Sequence, residues 1–437
     1  MISKRLLGPA TMAALILAAC GGSAAAPSSA APASSAAPKP AASTAASALA
    51  SAKPAASAAA SAKPAASGAA SAKPAASGAA SGAASAKPAA SAKPTLVPDI
   101  AADTTQPQYL RAPITGMEGK NISADIVDID QDTHMVYVGD RDTAGVDVYD
   151  VSGSTPKFVK TIKTPAAPNG VIVAKNINRI GAGLNDGSLG VIDLQTGNVV
   201  GTIPSGGKMR VDELDYDSKE KLFFAANSGD GFMGVYDPST MKQVAKIDNL
   251  GDSLEQPRYD AADGMVYLTG SGTNRIFQVD PTKNTLGKTF NAPSGCDKPS
   301  GQWMNPKTNI GIISCDPHPI VWDYGKGQMV DTITQAPKAD QIYYSAKLDT
   351  FVGGDGSWNH GPHVTVISGT PPKFVTNVGP TPGGNHNNSV IDEASSMVYA
   401  MGPDGLLGFP LPKAGGSAAA VTGSAAAKPA ASAKPSA

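Results

Sequence analysis

Six segments of this chain end on the same short phrase. They are Lys157-Phe-Val-Lys-Thr-Ile162, Asn198-Val-Val-Gly-Thr-Ile203, Lys242-Gln-Val-Ala-Lys-Ile247, Thr285-Leu-Gly-Lys-Thr-Phe290, Gln328-Met-Val-Asp-Thr-Ile333 and Lys373-Phe-Val-Thr-Asn-Val378. Their last residues are 41, 44, 43, 43 and 45 positions apart. A period near 43 filled with short strands and turns specifies a propeller or a solenoid. It also fixes which loops share a face, so every functional argument starts from it.

The third repeat shows the unit most plainly. Strand a is read at 211–216 and strand b at 221–226; strand c covers 233–236 and strand d runs from Lys242 to Ile247. Short apolar or alternating runs bounded by Gly, Pro, Asn and Asp are strand signals. Repeats start near Ala124, Asn169, Val211, Leu254, Ser300, Ala339 and Asn387, which makes seven. The seventh lacks a d strand, and the stretch from Gln108 to Ile114 reads as the missing one. Pairing the two ends closes the ring and removes open sheet edges. The expected fold is all-β: a seven-bladed β-propeller of four-stranded blades over 96–412, monomeric.

The phrases Val136-Tyr-Val-Gly-Asp140, Gly190-Val-Ile-Asp193, Gly234-Val-Tyr-Asp237 and Val266-Tyr-Leu-Thr-Gly270 carry a resemblance. With them the chain resembles the YVTN family of seven-bladed propellers across 115–412. That resemblance implies the fold and an extracytoplasmic setting, and leaves the ligand or reaction open. The literal Tyr-Val-Thr-Asn phrase is absent.

The ends of the chain have another character. Lys4 and Arg5 precede an apolar run, Met12-Ala-Ala-Leu-Ile-Leu17, and then Leu17-Ala-Ala-Cys20. The run is too short to span a bilayer. It resembles a bacterial lipoprotein signal over 1–19, which implies that Cys20 becomes the lipidated N-terminus; the alternative is an ordinary secretory signal cleaved near Ala19. Gly21 and Gly22 follow where an inner-membrane retention signal would place Asp, which by analogy favours an outer membrane. Residues 21–95 are dominated by Ala, Ser, Pro, Lys and Gly, with no acid and no aromatic. Such composition cannot offset its ordering entropy by burial, so 20–95 is expected to be a disordered tether with a root-mean-square span of roughly 50 Å. Residues 413–437 repeat this composition as a tail.

With those ends set aside, the charge balance changes. All 36 acids but only 24 of the 35 bases lie within 96–412, which leaves that stretch at −12. An acidic surface argues against nucleic acid and favours cations or basic groups. No phosphate-binding Gly-rich loop, serine-hydrolase elbow, His-Glu-x-x-His pair or covalent haem motif occurs. Cys296 and Cys315 are the remaining cysteines. In an extracytoplasmic compartment they are expected to form a disulfide, since both approach one face of blade 5; the alternative is a pair of small buried hydrophobes.

Two constellations fall on the face that bears the d–a and b–c loops. The first is histidine-based. His318, His360, His363 and His386 map to neighbouring blades 5, 6 and 7, and imidazoles suit a transition metal. Trp358 adds an aromatic candidate beside them. The second lies at the start of the inner strands. The aligned residues are Asp125, Gly170, Asp212, Glu255, Gly301, Asp340 and Asn388, with Glu213, Gln256, Gln302 and Gln341 beside them. Carboxylates crowded at one mouth raise one another's pKa unless a cation joins them, and oxygen-rich sets suit calcium. Arg141, Lys208, Arg210, Arg275 and Lys298 lie in loops of the same face.

These features lead to one reading and two rivals. The first is a lipid-anchored propeller of the cell envelope, facing the periplasm or exterior. It binds a small ligand or an envelope protein through its channel-mouth face, and its lipid holds it to the membrane. One rival is a metal-dependent enzyme on that face, either a lactonase-like hydrolase using Asp212, Glu255, Asp340 and Asn388 or a His-ligated oxidoreductase; the other is a structural envelope protein. A divalent metal is the candidate cofactor, at the histidines or at the mouth.

Overall fold

The computed structural model describes residues 109–355, 363–378 and 388–412. Within them the chain forms seven four-stranded antiparallel sheets. In blade 1 the strands a to d are Ala124–Asp130, Met135–Asp140, Gly145–Asp150 and Lys157–Lys163; in blade 2, Pro168–Ala174, Arg179–Leu184, Ser188–Asp193 and Val199–Pro204. Blade 3 is Leu214–Asp217, Leu222–Asn227, Phe232–Asp237 and Lys242–Ile247; blade 4 is Arg258–Asp260, Met265–Gly270, Arg275–Asp280 and Thr285–Asn291. Blade 5 is Gln302–Asn305, Ile310–Ile313, Ile320–Asp323 and Gln328–Thr332; blade 6 is Gln341–Ser345, Thr350–Asp355, His363–Gly369 and Pro372–Val378. Blade 7 takes Ser389–Asp392, Met397–Met401 and Gly405–Pro410 from the C-terminal end. Its d strand is Leu110–Pro113, from the N-terminal end, paired antiparallel so that Leu110 faces Gly408 and Pro113 faces Gly405.

The a strands touch one another in sequence right round the ring. Polar bonds support the closure. Ile114 N–H donates to the Asp404 carbonyl (2.8 Å), and Arg111 forms an ion pair with the buried Asp404 carboxylate. The apolar core is divided. Seven buried clusters fill the seven seams between blades, each drawing residues from both neighbours. This follows from strand periodicity: successive side chains point to opposite faces of a blade, and both faces of an interior blade are covered. The outer d strands cover one flank only, and Val159, Val200, Val244 and Val330 stay exposed there.

The Cys296–Cys315 disulfide is present, with the two Cα atoms 4.8 Å apart and both residues buried. A two-stranded ladder beside it, Cys296–Asp297 with Asp316–Pro317, was not legible in the sequence. The third inner strand also begins later than the sequence suggested, at Leu214 rather than Val211. The reason is a bulge that recurs around the ring and shapes the channel mouth. The signal segment, Cys20, the tether and the tail lie outside the described residues.

Candidate functional site

Near the mouth, the inner strands of blades 1 to 6 each place two residues opposite one residue of strand b. In blade 1, Ala124 pairs with Asp140 and Val127 with Val138, so Asp125 and Ile126 face Gly139. Blade 2 sets Asn169 and Gly170 opposite Gly183. In blade 3 the Asp212 N–H donates to the Ala226 carbonyl (2.9 Å), while Ala226 N–H donates to the Glu213 carbonyl (2.8 Å). Glu255 and Gln256 face Thr269; Ser300 and Gly301 face Ser314; Asp340 and Gln341 face Gly354. A bulge of this kind bends the strand and re-aims its side chains.

The register corrects the alignment made from sequence. Gly170 and Gly301 occupy the second bulge position, not the first. The equivalents of Asp125 in blades 2 and 5 are Asn169 and Ser300, and Gln302 moves one place further down the channel. The sequence could not supply this, because a bulge changes the count of residues without changing the apolar pattern on either side.

Five carboxylates gather at the mouth: Asp125, Asp212, Glu213, Glu255 and Asp340. Arg141 holds Asp125 in an ion pair and donates through Nε to Asn169 Oδ1 (2.8 Å). Arg210 Nη2 lies 2.7 Å from Asp212 Oδ2. Ser271 Oγ donates to Glu255 Oε1 (2.8 Å). Lys338 acts on Asp340 and Glu255 at longer range; its Nζ donates to the Lys298 carbonyl (3.0 Å). Glu213 is the deepest of the five, and its Oε2 has no partner.

Burial decides the protonation of this group. It raises the Glu213 carboxyl well above the usual range, and the neighbouring charges of Glu255, Asp340 and Asp212 push the same way. Asp340 is driven to about 8 by burial, then by Asp125, Glu255 and Asp212. Glu255 is raised chiefly by burial, against the Ser271 bond. Asp125 is also raised by burial, with Arg141 opposing. Arg141 and Arg210 pair with Asp125 and Asp212, whereas Lys338 lies 3.6 Å from Asp316 and reaches Asp340 and Glu255 only at longer range.

Below the mouth the channel closes. Gln256 Oε1 accepts the N–H of Gln302 (2.6 Å) and of Ile342 (3.2 Å), tying blades 4, 5 and 6. Asn388 Nδ2 donates to the Asp125 carbonyl (3.1 Å), joining blades 7 and 1. One layer further down, the buried Arg258 guanidinium lies 4.3 Å from the centroid of the Trp303 ring, and its Nη1 is 3.6 Å from Asp215 Oδ1. Around these residues only about 10 Å³ remains open, the room of a single water. The channel is therefore narrow at this level.

Gln256 was placed at the mouth by the sequence, but Arg258 was not found as a channel residue; it follows the bulge, and only the register shows that it points inward.

The histidine constellation is placed only in part. His318 sits in the b–c loop of blade 5 as expected, with Nδ1 bonded to the Ala336 carbonyl (2.9 Å), which leaves Nε2 for any other partner. Trp358, His360 and His386 lie outside the described residues, and of His363 only the backbone is described, at the start of strand c of blade 6. Among the described residues no group of three or more His, Cys, Asp or Glu side chains lies close enough to hold one metal ion.

Comparison with known proteins bears on the fold. A family model described as a YNCE-like beta-propeller matches residues 110–256, which cover the closing strand and blades 1 to 3. No curated protein matches the chain. Among solved structures, a chain in the "Crystal Structure of Mitotic Checkpoint Complex" is similar, with a TM-score of 0.55 and 12% identity over 65% of this chain and 89% of that one. At that identity the likeness is one of fold, and a fold shared with 1781 matching chains does not choose a function.

Proposed function

We propose that this protein is a lipid-anchored, extracytoplasmic binding module whose channel mouth receives a cationic group, an ammonium or guanidinium carried by a small ligand or by an envelope protein. The observation that carries this is the Glu213 carboxyl: buried among Glu255, Asp340 and Asp212, with Oε2 unpartnered and no ion pair of its own. A buried unpaired charge is costly, and an arriving cation removes the cost while supplying hydrogen bonds. The −12 balance over 96–412 steers such ligands toward the domain.

A metal hydrolase on the same face fits less well. Its ligands must converge within about 2.0–2.6 Å of one ion, whereas Asp212 is engaged by Arg210 and Glu255 by Ser271, and no three such side chains converge among the described residues.

Isothermal titration with agmatine at low salt tests the reading. Binding is expected to strengthen from pH 6 to pH 9 as the mouth carboxyls ionise. Glu213→Gln should weaken it by roughly 10- to 100-fold, the worth of a charge-assisted hydrogen bond. Equal affinity in the variant would remove the mouth as the site. For the anchor, Cys20→Ala should move the protein from the membrane fraction to the soluble one; a variant that stays in the membrane would remove the lipid from this account.

A further inference from the structure

A second acidic cluster lies in the seam between blades 7 and 1, away from the mouth. Asp140 ends strand b of blade 1, and Asp147 and Tyr149 lie on strand c. Val138 pairs with Asp147 and Val136 with Tyr149, so all three side chains point to the same face of the sheet. All three are fully buried. Asp140 Oδ1 accepts the Asp142 N–H (2.8 Å), and Asp147 Oδ1 accepts the Thr161 hydroxyl (2.6 Å). The Oδ2 atoms of both carboxylates and the Tyr149 hydroxyl find no conventional hydrogen-bond partner, although the Asp147 carboxyl lies within hydrogen-bonding reach of Asp140 and Thr143. No Lys or Arg forms an ion pair with either acid among the described residues; Lys163, nearby, donates to the Thr143 carbonyl instead. Burial is the main force raising the Asp147 carboxyl to about 8, and the adjoining Asp140 adds to it. Asp147 and Asp140 are also the charges that act most on the Tyr149 hydroxyl.

Blade 3 contains the same site in neutral form. By register Asn227 stands for Asp140, Gly234 for Asp147 and Tyr236 for Tyr149. There the tyrosine hydroxyl reaches across the glycine to Asn227 Oδ1 (3.3 Å), and Asn227 Nδ2 donates to Ser205 Oγ (2.9 Å). A Cβ at Gly234 would come within 2.2 Å of that hydroxyl, so the neutral network needs glycine. Blade 1 has put two acids where blade 3 has an amide and no side chain, and the hydroxyl has lost its partner. Two adjoining carboxylates and a hydroxyl, shut from water, form an all-oxygen set whose net charge is −2 once both acids are ionised. Such a set suits a hard divalent cation.

We propose that Asp140, Asp147 and Tyr149 hold a calcium-like cation in the seam where the two ends of the propeller meet. The ion neutralises both acids and fixes strand c of blade 1 beside the Asp404 turn of blade 7. In that place it acts as a lock on ring closure.

The test uses the full-length chain. Purified protein should carry one Ca²⁺ per chain by elemental analysis, and EGTA should remove the ion and lower Tm. Terbium should take its place, with emission sensitised through Tyr149. Tyr149→Phe, which keeps the fold, should cut that emission by more than fivefold. Asp140→Asn with Asp147→Gly rebuilds the blade 3 form and should abolish both the bound ion and the effect of EGTA. A wild-type chain that binds no Ca²⁺, with a Tm indifferent to EGTA and falling as pH rises toward about 8 before levelling off, would show that the two acids share a proton instead. Calcium retained by the double variant, or terbium emission unchanged in Tyr149→Phe, would place the ion elsewhere and equally overturn the proposal.

Discussion

The mouth and the waist of the channel are built from the same inner strands and both bury carboxylates, yet they are neutralised differently. At the waist, Asp128 accepts the Val173 N–H (2.7 Å) and Asp215 accepts the Tyr259 N–H (2.6 Å), while Arg258 supplies a charge between them and stacks on Trp303. At the mouth, Arg141 and Arg210 pair with Asp125 and Asp212, and Glu213 keeps an unpartnered oxygen. Both regions obey one rule, that a buried charge needs a partner. The waist finds its counter-charge within the chain, although Arg258 Nε has no hydrogen-bond partner there, and so serves structure. The mouth leaves a place for a partner from outside.

The sharpest way to break this contrast is to remove the waist's own cation. Arg258→Leu leaves Asp128 and Asp215 facing each other without it, and should cost about 3–5 kcal/mol in urea unfolding. Adding Asp128→Asn and Asp215→Asn should recover much of that loss. If Arg258→Leu alone proves neutral, the waist is not held by its cation and the contrast fails.

The Cys296–Cys315 bond lies at the mouth end, and opening it is expected to have a smaller effect. It closes a loop with a sequence separation of 19, worth up to about 3 kcal/mol in the chain-entropy account. Reductant should lower the urea midpoint of the wild type and leave that of a Cys296→Ser/Cys315→Ser variant unmoved. Two free thiols by intact mass in untreated protein would show that no such bond forms.

How far the sequence reached follows from the same physics. The period of the Val-x-Thr-Ile phrase gives the blades, because d strands recur once per blade and their pattern is local. The closing strand was legible from Leu110 to Pro113 because the seventh repeat lacked a d strand. The mouth acids Asp125, Asp212, Glu255 and Asp340 were legible too, since each begins an inner strand. Three things were not. The recurring bulge hid the equivalence of Asn169 and Ser300 with Asp125. Arg258 looked like any strand residue until the register turned it inward. The Asp140–Asp147 pair is separated by a b–c loop, and only the ladder between the strands brings the two side chains to one face.

The smallest effect expected is the most discriminating, because it depends on the sign of a titration. Asp340 in the folded protein is raised from the ordinary 3.8 to about 8, mainly by burial. Between those values the folded state holds a proton that the unfolded chain has released, so stability falls as pH rises through the window and levels off above it. Asp128, at about 7, adds to the slope from the waist, where its backbone bonds and Arg258 work against burial. Asp340→Asn removes the mouth's share alone. Tm against pH should then be flatter between pH 5 and 8.5, and the variant should gain about 1 kcal/mol over the wild type at the upper end. Agmatine should give the wild type a similar gain at pH 8.5 and little at pH 5, because the ligand supplies the counter-charge only once the acids are ionised. A variant whose slope matches the wild type would mean that the mouth carboxyls are already ionised at pH 5. The mouth would then resemble an ordinary solvated rim, and its difference from the waist would disappear.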